Sequence, residues 1–78
     1  MVLLEEVTIV FQKVFQNQNL KLMLNTTNKD IEAWDSLHHM DLINELEHHF
    51  KINITLKEAM QMNSVSEILE LLKTKKES

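Results

Sequence analysis

No cysteine, glycine or proline occurs anywhere in this 78-residue chain. Without cysteine there is neither a disulfide nor a thiolate metal site, so an apolar core alone must hold a chain near the lower size limit for independent folding. Arginine is missing too: all eight basic residues are lysines, set against twelve acidic ones, for a formal charge of −4. That balance excludes a nucleic-acid module, which needs a basic face to displace counterions, and favours partners with basic surfaces. With one Trp, three Phe and no Tyr, there is no aromatic platform on which bases could stack. No apolar run approaches the roughly 20 residues of a membrane span. Met1-Val2-Leu3-Leu4 leads straight into Glu5 and Glu6, unlike the basic start and long apolar centre of a signal peptide. The apolar fraction of 44% is that of a globular protein. The chain reads as one soluble cytoplasmic domain spanning residues 1–78.

What is present is helical periodicity. Leu3, Leu4, Val7, Val10, Phe11, Val14 and Phe15 recur at spacings of three and four, which predicts an amphipathic helix over 3–15. Gln16-Asn17-Gln18-Asn19 ends it. Residues 17–35 form a connection unusually long for so small a domain, and such connections are often functional. Leu20, Leu22 and Leu24 are expected to plug this loop onto the core, since a lone strand would have no partner. Leu37, Met40, Ile43, Leu46 and Phe50 predict a second helix over about 36–51, with Asp35 or Ser36 as its N-cap. Thr55-Leu56-Lys57-Glu58 fits a capping box and starts a short third helix that stops near Met62-Asn63. Ser64-Val65-Ser66-Glu67 repeats the signature and opens a fourth through Ile68, Leu69, Leu71 and Leu72. Lys73, Lys75 and Lys76 near its end complement the helix dipole. The expected fold is all-α: a four-helix bundle with three longer helices, a short third one, and a long loop between the first and second.

The chemistry concentrates at Trp34-Asp35-Ser36-Leu37. A hydroxyl at the positive end of a helix is a plausible anchor for a phosphorylated group, because the dipole and the unpaired N–H groups stabilise a phosphate there. It is also a common way to start a helix. No base or oxyanion hole is assembled around Ser36, so any activation must come from another protein.

With Asp35-Ser36-Leu37 set between a long loop and the run Met40-Asp41-Leu42-Ile43-Asn44-Glu45-Leu46-Glu47-His48-His49-Phe50, the chain resembles the acyl carrier proteins. The likeness extends over the whole chain in helix order, with its sequence weight in residues 34–54. Trp34 looks like a subgroup of free-standing carriers. The resemblance implies that Ser36 bears 4′-phosphopantetheine, derived from coenzyme A, and that an acyl group rides on its thiol as a thioester. It implies a carrier that catalyses nothing. Asp35, Leu37, Met40, Asp41, Leu42, Glu45 and Glu47 would form the surface read by partners, with Asp35 also orienting the metal or basic residues of the modifying enzyme. Those partners would be a phosphopantetheinyl transferase, an acyl- or aminoacyl-loading ligase, and an acyltransferase or condensing enzyme. They would meet a monomer that engages no nucleic acid and inserts into no membrane. Fatty-acid, polyketide or specialised metabolite synthesis would be the setting. Two alternatives stay open: an aminoacyl, D-alanyl or peptidyl carrier loaded by an adenylating ligase, and an unmodified helical interaction module in which Ser36 only caps a helix.

Two departures from the family pattern stand out. The glycine common shortly before Asp-Ser-Leu is replaced by Glu32, Ala33 and Trp34, so the turn into the helix must use ordinary backbone conformations. His38, His39, His48 and His49 stand where many carriers place acids. Glu45 with His49, and His38 with Asp41, have chelating helical spacings, but no third and fourth ligand follows, and a solvated helix face is the better reading. Protonation of these histidines would make the second helix less acidic below about pH 6.5 and weaken a basic partner's binding. Trp34 is expected to anchor the loop. Met60 and Met62 are expected to fill irregular core space, and could yield when an acyl chain tucks between the second and third helices. The glycosylation sequons at Asn25 and Asn53 are read as chance.

Overall fold

A computed structural model describes residues 4–77. Its helices are α1 (Leu4–Val14), α2 (Ser36–Phe50), α3 (Leu56–Met60) and α4 (Val65–Glu77), in the order and number the periodicity predicts. Leu3, placed in the first helix by the sequence reading, lies outside the described residues.

Local chemistry sets the starts. Glu5 and Glu6 occupy the first turn of α1 and Lys13 its last, each complementing the dipole. Between the two candidate caps of α2 the structure selects Asp35, in extended conformation, whose carboxylate accepts from the N–H of His38 at 2.8 Å. The Thr55 box on α3 is complete: Thr55 Oγ1 accepts from Glu58 N at 3.1 Å and Glu58 Oε1 accepts from Thr55 N at 2.9 Å. The Ser64 box is made differently. Ser64 Oγ accepts from Glu67 N at 3.2 Å, but the Glu67 carboxylate takes the serine hydroxyl itself at 2.9 Å.

The ends carry the strain of a chain without glycine. Gln16 (φ 51°) and Lys51 (φ 57°) stand in the left-handed region where α1 and α2 stop, the position glycine usually fills. The geometry still satisfies the last carbonyls: Asn17 N donates to Gln12 O at 3.0 Å, and Ile52 N to Glu47 O at 3.1 Å.

The core is one cluster to which every helix contributes, including Val7 and Phe11 of α1, Leu42 and Leu46 of α2, Ala59 of α3 and Ile68 of α4. The long connection is bound to it from both directions. Leu22 and Trp34 are buried, and Leu20 and Ile31 are packed against the cluster. Gln12 Nε2 holds the Leu20 carbonyl at 3.0 Å. Among the described residues there is no strand, but the loop pairs at one point: Thr27 and Ser64 form an isolated antiparallel bridge, with Asn28 N to Asn63 O at 2.9 Å and Val65 N to Thr26 O at 2.8 Å. Two expectations are corrected. Leu24 is 60% exposed and plugs nothing, and Met60 is 69% exposed while Met62 alone fills core space.

Candidate functional site

Ser36 is the first residue of α2, and its side chain is exposed. Among the described residues no hydrogen bond ties the hydroxyl down, and the N–H groups of Ser36 and Leu37 have no acceptor. The hydroxyl therefore sits at the electropositive end of a fifteen-residue helix with free donors beside it, the environment a phosphodiester oxygen requires. A cleft of about 390 Å³ runs alongside, lined by Asn28, Trp34, Asp35, Ser36, His39, Met40 and Asn63. These features leave room for a group attached to the Ser36 hydroxyl and favour a negative charge on it.

Asp35 is held tightly. Its Oδ1 meets the backbone N–H of His38 at 2.8 Å and the ring Nδ1 of His38 at 2.9 Å. The backbone hydrogen bond from His38, and after it the side-chain bond from the same residue, hold the carboxyl below its ordinary value. The carboxylate stays exposed and able to meet a cation. The His38 ring is in turn stacked on Phe15, centroids 5.6 Å apart.

The expected partner surface divides into three. Leu37 (72% exposed) and Met40 (45%) flank Ser36 as apolar contacts, and Asp41 is exposed beside them. Glu45 and Glu47 are half-buried: Glu45 pairs with Lys13 at 3.3 Å, and Glu47 accepts from the N–H of Ile54 at 2.8 Å, securing the chain that leads into α3. Leu42 is a correction. It is fully buried in the core, because the buried stripe of α2 runs through Leu42, Ile43, Leu46 and Phe50 and leaves Leu37 and Met40 on its flank.

The histidines also depart from a uniformly solvated face. His48 and His49 are exposed, but His38 and His39 are half-buried. His39 Nδ1 receives the indole N–H of Trp34 at 2.9 Å, and His39 Nε2 meets the carbonyl of Ala59 at 2.7 Å. The loop-anchor reading of Trp34 holds: it is 6% exposed and edge-on to Phe11 at 5.2 Å. Sequence reasoning missed its partner, although a buried indole must find an acceptor. It also missed Leu56 (68% exposed) and Met60 (69%) on α3, which add apolar surface at the helix that His39 draws against α2. Glu45, His49 and His38 face Lys13, Glu6 and Asp35 respectively, and no group of three metal-ligating side chains converges among the described residues.

Residues 30–72, more than half of the chain, match the family model described as a phosphopantetheine attachment site. The chain belongs to the acyl carrier protein family. A solution NMR structure of a holo acyl carrier protein from Geobacter metallireducens is similar to it over 96% of this chain and 86% of that one, with 39% sequence identity and a TM-score of 0.87. A comparison with curated proteins gives no match. As a member of this family the chain is a carrier rather than an enzyme, and the family's group is a covalently attached phosphopantetheine. Its fold is the family's helical fold. No helix among the described residues is long and apolar enough to cross a membrane.

Proposed function

We propose that Ser36 is the residue of this acyl carrier protein that bears 4′-phosphopantetheine, and that an acyl group is its cargo. The observation that carries this reading is the exposed, unbonded hydroxyl at the first position of α2, within the matched residues 30–72 and beside a cleft with room for an arm. Transfer from coenzyme A forms a bond between the Ser36 oxygen and phosphorus, breaks the phosphorus–oxygen bond to 3′,5′-ADP, and releases the serine proton. That proton must pass to a base on the transferase, because no side chain of this protein is hydrogen-bonded to the hydroxyl among the described residues. When bound, the group supplies a thiol that this cysteine-free chain lacks.

The chain's own residues then position and present. Asp35 fixes the helix start and offers a negative charge next to the reacting oxygen. Leu37, Met40 and Asp41 give a partner one compact surface around Ser36, apolar contacts for affinity and a charge for steering toward basic residues. Its partners are a phosphopantetheinyl transferase, a loading ligase, and an acyltransferase or condensing enzyme, met in the cytoplasm. Incubation with coenzyme A and a broad-specificity transferase, followed by intact-mass measurement, tests the reading. One adduct that disappears in Ser36→Ala is expected. An unmodified mass, under conditions that modify a control carrier, contradicts it and leaves an interaction module. Loading of the modified chain by acyl ligases but not by aminoacyl ligases is the expected outcome for cargo.

A further inference from the structure

His39 touches three parts of the site at once. It belongs to α2, receives the indole N–H of Trp34 from the long connection, and reaches the Ala59 carbonyl of α3. The two partners fix its chemistry. An indole N–H can only donate and a carbonyl can only accept, so Nδ1 is the bare acceptor and Nε2 carries the single proton. A second proton would turn Nδ1 into a donor aimed at another donor 2.9 Å away, and that contact cannot persist.

Trp34 lies two residues before Ser36, in a stretch wound tightly from Ile31 to Asp35: Trp34 N donates to Ile31 O at 3.0 Å and Asp35 N to Ala33 O at 2.9 Å. A shift of the indole is therefore passed to the Asp35–Ser36 corner. Within two residues of His39, Trp34 or Ala59 the charged or titratable groups are Glu32 and Asp35 in the connection, Lys57 and Glu58 on α3, and His38 and Asp41 on its own helix. Asp35 is engaged with His38, and Glu58 with Thr55 and Lys75 at 2.9 Å. Lys57 and Asp41 are exposed. Among the described residues none forms an ion pair with the ring.

We propose that His39 is a positioning residue for the modification of Ser36: its neutral ring fastens Trp34 to α3 and so holds the Asp35–Ser36 corner in shape for the transferase, and a second proton releases it. The inference rests on Ser36 being the attachment residue. A glutamine at position 39 offers an acceptor oxygen and a donor nitrogen and cannot titrate, so His39→Gln is the variant that keeps the fastening and loses the switch.

Two measurements test it. The first uses the unmodified full chain: imidazole nitrogen NMR and the indole N–H resonance of Trp34, the only Trp, followed from about pH 8 to about pH 5 across the histidine range. A neutral ring protonated at Nε2, with an indole resonance that moves as His39 titrates, is expected. A ring protonated at Nδ1, or an indole resonance indifferent to that titration, overturns the proposal, and this readout needs no variant to fold. The second is the ratio of transferase kcat/KM on wild type to that on His39→Gln at each pH, which cancels the transferase's own pH profile. The ratio is expected near one at about pH 8 and to fall by about fivefold at the acid end, the scale of one hydrogen bond lost; His39→Ala is expected to be slow at both. A fall of less than about twofold overturns the inference alone. Absence of any adduct on the wild type at neutral pH strikes the Ser36 reading, and this one with it.

Discussion

Asp35 and His38 are joined twice, through the backbone N–H at 2.8 Å and the ring nitrogen at 2.9 Å, both to the same carboxylate oxygen. One residue thus caps the helix and sets the charge beside Ser36. The two duties separate by substitution. Asp35→Ala is expected to lower stability by removing the N-cap and to slow transferase modification. Asp35→Asn keeps a good capping side chain, so its urea midpoint at neutral pH should fall less than that of Asp35→Ala while modification still slows. Equal losses of stability in both variants would show that the cap is not what Asp35 contributes.

Leu37 and Leu42 lie five residues apart on α2 and are expected to behave in opposite ways. Leu42 is fully buried and Leu37 is 72% exposed. Leu42→Ala should lower unfolding free energy by about 2–5 kcal/mol through the cavity it leaves. Leu37→Ala should change stability by no more than about 0.5 kcal/mol but raise the KM of the transferase. Denaturant titration and modification kinetics on the same two proteins check both halves.

Lys51 ends α2 at φ 57°, where a side chain with a Cβ is disfavoured by about 1 kcal/mol relative to glycine. Lys51→Gly is expected to stabilise the chain by about that amount with no effect on modification. Gln16→Gly, at the end of α1, should act alike. A lowered midpoint would mean that Lys51 makes a compensating contribution through its side chain.

Acid stability follows from two carboxylates. Asp35 is lowered by its bonds from His38, and Glu58 by the Thr55 backbone N–H first and by Lys75 after it. A group whose folded pKa lies below its unfolded value contributes stability that is present above the unfolded value and lost as pH falls through the folded one. The chain should therefore lose stability on the acid side, and Asp35→Asn with Glu58→Gln should flatten that limb. Urea midpoints at about pH 7 and about pH 3 measure it; an unchanged acid limb in the double variant would remove these two groups as its cause.

The helices were legible in the sequence because their signals are local. Spacings of three and four, the Thr55 box and an Asp-Ser step are each read within one turn, and they fixed the starts of α2, α3 and α4. Glycine usually marks helix ends, so in its absence nothing announced that Gln16 and Lys51 would take left-handed conformations. The errors share one cause, which is that burial depends on neighbours far away in the chain. Leu42 looked peripheral because the stripe drawn through Leu37 and Met40 is displaced from the buried one, which runs through Leu42, Ile43, Leu46 and Phe50. Leu24 and Met60 looked like core because they are apolar. His39 was unreadable for the same reason: its partners are five residues before it and twenty residues after it, and only the fold brings them together. The place of Ser36 at the start of α2 was legible because it depends on local signals rather than on any distant contact.

The most direct test is to locate the group itself. Fragmentation mass spectrometry of the chain after treatment with coenzyme A and a transferase should place the added mass on Ser36 and nowhere else. The same mass on another hydroxyl, such as Ser64 or Ser66, would contradict the account.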